Sequence, residues 1–114
     1  MANISSKANG STAMTLSTDV TLTTITDAGV YVINVDTNPI VNGETLILIV
    51  EKKVLTGGTR RIVDRMVVCN HAPLAPVVED KPRESLYELV YKLRQEGGSA
   101  RTIDWNVYQL TPLV

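Results

Sequence analysis

The sequence predicts an all-β domain, an antiparallel β-sandwich or jelly-roll-like body of seven or eight strands with a polar N-terminal arm. Three observations carry this. Val, Ile and Thr fill about a third of the 114 positions, and β-branched side chains fit a pleated, half-buried surface. Apolar residues alternate with Thr, Ser or charged residues through short windows, which is the period of a strand with one wet face. Turn residues punctuate these windows roughly every ten positions, the spacing of sandwiches and small barrels. A hydrophobic fraction of 44% in a chain of this length supports one domain with a real core.

The elements follow in order. Residues 1–13 are small and polar and bury no face, so they read as a flexible arm, with the sandwich domain over 14–114. Residues 14–26 alternate apolar with hydroxyl side chains and are interrupted near Thr18-Asp19. A turn at Asp27-Ala28-Gly29 leads into a strand over Val30–Asp36, with Tyr31, Ile33 and Val35 on one face. Glu44–Leu55 is the strongest strand. Its centre, Leu46-Ile47-Leu48-Ile49-Val50, is apolar on both faces, so both need a cover. One cover is the core, and the other is a second layer or another chain. Gly57-Gly58 supplies the positive φ of a hairpin turn. In the strand after it, Asp64 shares a face with Ile62, Met66 and Val68, and Arg61 and Arg65 share the other with Val63, Val67 and Cys69. Residues 71–84 hold three prolines and form a connection, with a short edge strand over 75–78. For residues 85–95 periodicity leaves helix and strand both open. The Gly97-Gly98 turn and the alternating Ile103, Trp105, Val107 run favour a strand and a hairpin.

Chemistry is sparse in this pattern. A net charge of −1 and a pI of about 5.7 lack the basic surplus of a duplex-binding protein, so no nucleic-acid partner is expected. Cys69 is the single cysteine, which leaves no intrachain disulfide and reads as a small buried residue. The N-terminus has no basic, then apolar, signal pattern, and Leu46–Val50 falls far short of the roughly 20 residues of a membrane span. A soluble protein made in a cytoplasm, with no membrane partner, is expected. His71 is the lone histidine and lacks a nucleophile-elbow partner, and one His with one Cys makes no typical zinc site. Five aromatic residues in the chain are few for a sugar-stacking cleft. The residues therefore point to no enzyme, no cofactor and no metal. Tyr87 and Tyr91 share one face if their segment is a strand. They pack on Trp105 in the core or, with Leu46–Val50, offer a partner interface.

The runs Thr21–Thr37, Gly43-Glu44-Thr45-Leu46 and Lys53–Arg60, with a looser match from Leu93 to Trp105, resemble small β-rich virion proteins of tailed bacteriophages. The proline-rich 71–84 segment departs from that pattern. The resemblance implies a capsid decoration or cement protein that binds the outer surface of the major capsid protein lattice and stabilises the head. It also implies a homo-oligomer, a trimer for choice, made in the host bacterial cytoplasm and working in the virion. The alternatives are a neck or tail component, and a β-sandwich module that binds host surfaces or carbohydrate.

Overall fold

The computed structural model describes residues 2–112; Met1 of the expected arm and residues 113–114 of the expected domain lie outside these. The described residues form nine strands and no helix: β1 (Ala2–Ala13), β2 (Val20–Ile25), β3 (Gly29–Asp36), β4 (Thr45–Lys53), β5 (Arg61–Cys69), β6 (Val77–Glu79), β7 (Arg83–Ser85), β8 (Glu88–Glu96) and β9 (Thr102–Pro112). All pairings are antiparallel. One sheet runs β1-β9-β3, with β6 and β7 both along the far edge of β3, and the other runs β2-β8-β4-β5. β6 and β7 are thus two pieces of one interrupted strand. Counted so, the first strand pairs with the last, the second with the one before it, and so inward to the β4–β5 hairpin. This nesting is the rolled-up hairpin of a jelly roll.

The core lies between the two inner faces. Tyr31, Ile33 and Val35 of β3 and Ile103, Trp105 and Val107 of β9 come from the first sheet, and they belong to one cluster with Leu46, Leu48, Val50, Leu89, Tyr91 and Leu93 from the second. Residues 88–96 are a strand, as expected. Leu89, Tyr91, Leu93 and Gln95 are all buried, which is the every-second-residue pattern of a strand.

The expected arm is corrected. Residues 2–13 form a twelve-residue strand paired with β9 from Ala2↔Pro112 to Ala13↔Thr102. Main-chain hydrogen bonds hold such a strand whatever its side chains, and here polar partners add to them. The Trp105 indole N–H donates to Thr12 Oγ1 at 2.9 Å, and the Ser6 hydroxyl donates to Asn106 Oδ1 at 2.9 Å. Gly10 stands opposite Trp105, where a Cβ would lie 3.3 Å from the indole.

Two buried polar clusters close the sandwich. At one end, beside the turns that enter β4 and β9, the Glu44 carboxylate accepts from the Arg101 guanidinium (3.0, 3.1 and 2.8 Å) and from the N–H groups of Val41 and Ser99 (3.1 Å each). Gln95 is fully buried beside it and satisfied. Its amide donates to the carbonyls of Gly97 and Ser99, and its oxygen accepts from Arg101 N–H. Along the β5/β7 side, Arg83 of the first sheet donates to Asp80 (2.8 and 3.1 Å) and to Asp64 of β5 in the second (2.9 Å). This bridges the two sheets at their open flank.

The turn glycines support a paired prediction. Gly57 and Gly98 both have positive φ, but a Cβ on Gly57 meets nothing within 4 Å, whereas one on Gly98 would lie 2.2 Å from Glu44 Oε2. Gly57→Ala should cost only the left-handed backbone penalty, about 1 kcal/mol. Gly98→Ala should cost about 3 kcal/mol or more in urea unfolding, since overpacking adds to that penalty. A second prediction concerns pH. The hydrogen bonds from Arg101, helped by those from Val41 and Ser99 against the opposing effect of burial, lower the Glu44 carboxyl from 4.5 to about 2. Its stabilising contribution is therefore complete above pH 4.5 and fades as pH falls toward 2. Thermal melts of Glu44→Gln should start lower at neutral pH and lose less between pH 5 and about 2 than those of the wild type.

Candidate partner-binding surface

Of the interface expected at Leu46–Val50 with Tyr87 and Tyr91, only Tyr87 reaches the surface of the folded chain. Leu46, Leu48, Val50 and Tyr91 lie in the core. Ile47 and Ile49 face outward on the second sheet, but they too are buried. Arg94 and Val67 flank Ile47, and Lys92 and Arg65 flank Ile49. Long aliphatic stems cover apolar neighbours while their charged heads reach water, so the second cover comes from the sheet itself. The heads are tied down in turn: Lys92 pairs with Glu51 at 3.1 Å, and Arg94 pairs with Glu96 at 2.5 Å and Asp19 at 3.2 Å. Tyr87 stands in the turn before β8 and is half-buried. The Tyr91 hydroxyl is buried with no hydrogen-bond partner in the described chain, and burial pushes its phenol pKa up.

The free strand edges are no better as docking rails. β1 bulges between Ser6 and Ala8, and β2 between Thr21 and Thr23. β5 bulges twice, since Cys69 and Val67 face consecutive residues of β4, as do Asp64 and Ile62. The fourth edge is broken into two three-residue strands, β6 and β7. Bulges and short strands prevent regular strand addition. The bulges also overturn the expected faces of β5. Asp64 and Met66 still oppose inward residues, but Cys69 joins them opposite Leu46, and Ile62 crosses to the outward face with Arg65 and Val67. Each extra residue shifts the alternation by one.

What remains exposed and apolar gathers in part at one end. Val54 (77%) and Leu55 (67%) tip the β4–β5 hairpin, and Leu86 (65%) tips the β7–β8 turn. Val54 and Leu86 share a cleft of about 350 Å³ with Lys52, Lys53, Glu84 and Ser85. An adjoining cleft of about 490 Å³ brings Val63 together with Lys52, Lys81 and Glu84. Arg61 stands opposite Lys52 on β5. Arg61, Lys52 and Lys81 enter no ion pair among the described residues, whereas Lys53 and Arg60 are engaged by Glu88. This end is therefore an apolar projection beside three free cations and one free carboxylate, Glu84.

The signal for this surface was in the sequence as Val54-Leu55 before Thr56-Gly57 and as Leu86 after Ser85. Local hydrophobicity merges both with the neighbouring strands, and only the fold places them at turns. Cys69 is buried, and its thiol lies 2.9 Å from the His71 carbonyl. His71 is exposed in the connection that follows. Among the described residues no cluster of His, Cys, Asp or Glu suits a metal ion. No helix is long and apolar enough to cross a membrane. Comparison of the chain with protein-family models, curated proteins and solved structures gives no match.

The two surfaces separate under mutation. Ile49→Ala should cost about 2–4 kcal/mol in chemical unfolding, the loss expected of a buried aliphatic. Leu86→Ser should stay within about 0.5 kcal/mol of wild type, as expected at an exposed site.

Proposed function

We propose that this protein is a structural component of a tailed-bacteriophage virion. In this reading it is a capsid decoration protein that binds the outer surface of the major capsid protein lattice as a homo-oligomer and stabilises the head. It is made in the host cytoplasm and acts by binding rather than by catalysis. The observation that carries the reading is the apolar projection of Val54, Leu55 and Leu86, set on a body whose edges resist strand addition. Exposed apolar groups rimmed by charge mark interaction sites, and a rigid sandwich with charge-pair closures suits a part that bears load. The resemblance of residues 21–37, 43–46 and 53–60 to phage virion proteins gives the partner class. The jelly-roll topology recurs in viral capsid domains, and in lectins, so it supports the reading only by analogy.

The test is made on particles. Heads assembled without the protein should release their DNA at lower temperature and under milder osmotic shock than complete heads, and adding the purified protein back should restore both tolerances. Equal tolerance with and without it removes the cement role. Density for it confined to the neck or tail replaces the reading with a connector or tail component.

A further inference from the structure

Unpaired charges of opposite sign predominate on two separate surfaces of the described residues. Among the described residues four cations enter no ion pair: Lys52, Arg61 and Lys81 stand around the apolar end just described, with one unpaired carboxylate, Glu84, among them, and Arg65 lies opposite Ile49 in the middle of β5. Asp36, Glu79 and Asp104 are carboxylates without an ion pair, and they lie together on the outer face of the first sheet. There Asp104 stands opposite Asp36, and Glu79 opposite Asn34 one row along. Like charges directly opposite one another destabilise a sheet, and within the chain the Asp36–Asp104 pair meets hydrogen bonds from Asn38 N–H and the Ser11 hydroxyl but no cation. Between these rows is a depression of about 200 Å³, floored by main chain at Val35 and Trp105, whose side chains enter the core, and walled by Asn34, Asp36, Asp104, Asn106 and Val77. Val77 is 64% exposed at its rim.

We infer that the β4–β5 hairpin tip of one copy seats in this depression on the next copy, head to tail. The shapes are complementary, a convex tip of Val54 and Leu55 against a concave patch beside Val77. So are the charges, with Lys52, Arg61 and Lys81 meeting Asp36, Glu79 and Asp104. The two patches are different surfaces of one molecule, so the contact is heterologous and builds a closed ring or an open filament rather than a two-fold dimer. The inference goes beyond the virion reading and does not depend on it, since the contact forms between free copies.

The experiment is sedimentation velocity of the purified full chain up to about 0.5 mM, in a range that detects weak self-association. Two variants are used, Arg61→Glu/Lys81→Glu and Glu79→Lys/Asp104→Lys. All four positions are exposed, and circular dichroism checks that each variant folds. The wild type should self-associate, with a dissociation constant that rises roughly tenfold or more between about 50 mM and about 500 mM NaCl. Each variant alone should be monomeric, because its two patches then carry the same sign. An equimolar mixture should associate again, because each variant supplies the sign the other lacks. A monomeric wild type at low salt overturns the inference. So does association that survives in both separate variants, which would point to an apolar two-fold contact. A mixture that stays monomeric overturns it as well. None of these results bears on whether particles need the protein, which the heat test decides.

Discussion

A strand can turn only every second side chain toward a core, and this protein depends on where that alternation is kept and where it is broken. In β3, β8 and the inner half of β9 it runs without interruption, and those strands supply Tyr31, Ile33, Leu89, Tyr91, Leu93, Ile103 and Val107 to the interior. In β1, β2 and β5 it slips by a residue at a bulge. The uninterrupted strands occupy positions with a neighbour on each side, and the slipped strands are the sheet edges. One geometric device thus keeps the core in register and makes the margins irregular enough to discourage strand addition. The residue-level consequence is plain on β5, where the alternation alone puts Cys69 with Arg65 and the bulge puts it against Leu46.

The distinction also sorts what the sequence reveals. The all-β class, the β3 and β4 strands, the Gly57-Gly58 and Gly97-Gly98 turns and the strand character of residues 88–96 all follow from local alternation and turn chemistry, which a sequence states directly. β1 does not, because its side chains bury little and its hold on β9 is main-chain hydrogen bonding, to which composition is blind. The apolar run Leu46–Val50 announces that both faces are covered. It cannot announce that the cover is the stems of Arg65, Lys92 and Arg94, since that depends on which strands flank β4. Reading the run as a partner interface assigned to another chain what neighbouring strands already do. The surface that is open, Val54, Leu55 and Leu86, consists of residues that local hydrophobicity places inside and topology places at turns.

Charge follows a similar logic. Where the sandwich opens, at the loops around Glu44 and along the flank at Arg83, opposite charges are brought together with multiple hydrogen bonds. Burying a carboxylate is tolerable only with that degree of satisfaction. On the outer face of the second sheet, pairs such as Lys92–Glu51 hold long side chains down over Ile49. Once these structural duties are subtracted, most of the charges left over gather on two different parts of the body: Lys52, Arg61 and Lys81 outnumber Glu84 on one, and Asp36, Glu79 and Asp104 make up the other. A net charge of −1 conceals this, because a sum over the chain carries no information about position.

The pairing of β1 with β9 bears on how the molecule comes to be folded. The second sheet has all four of its strands once residue 96 has been made. In the first sheet β3 pairs with β6 and β7 without β9, but β1 has no partner until β9 lies between β1 and β3 and bonds to both. The sandwich is complete only when β9 is seated in the middle of the first sheet, opposite the inner face of the second. Contacts so distant in sequence slow folding and leave an apolar face unsheltered for longer. For this protein, completion of the core thus depends on a closure between the two ends of the described chain, Ala2–Ala13 with Thr102–Pro112.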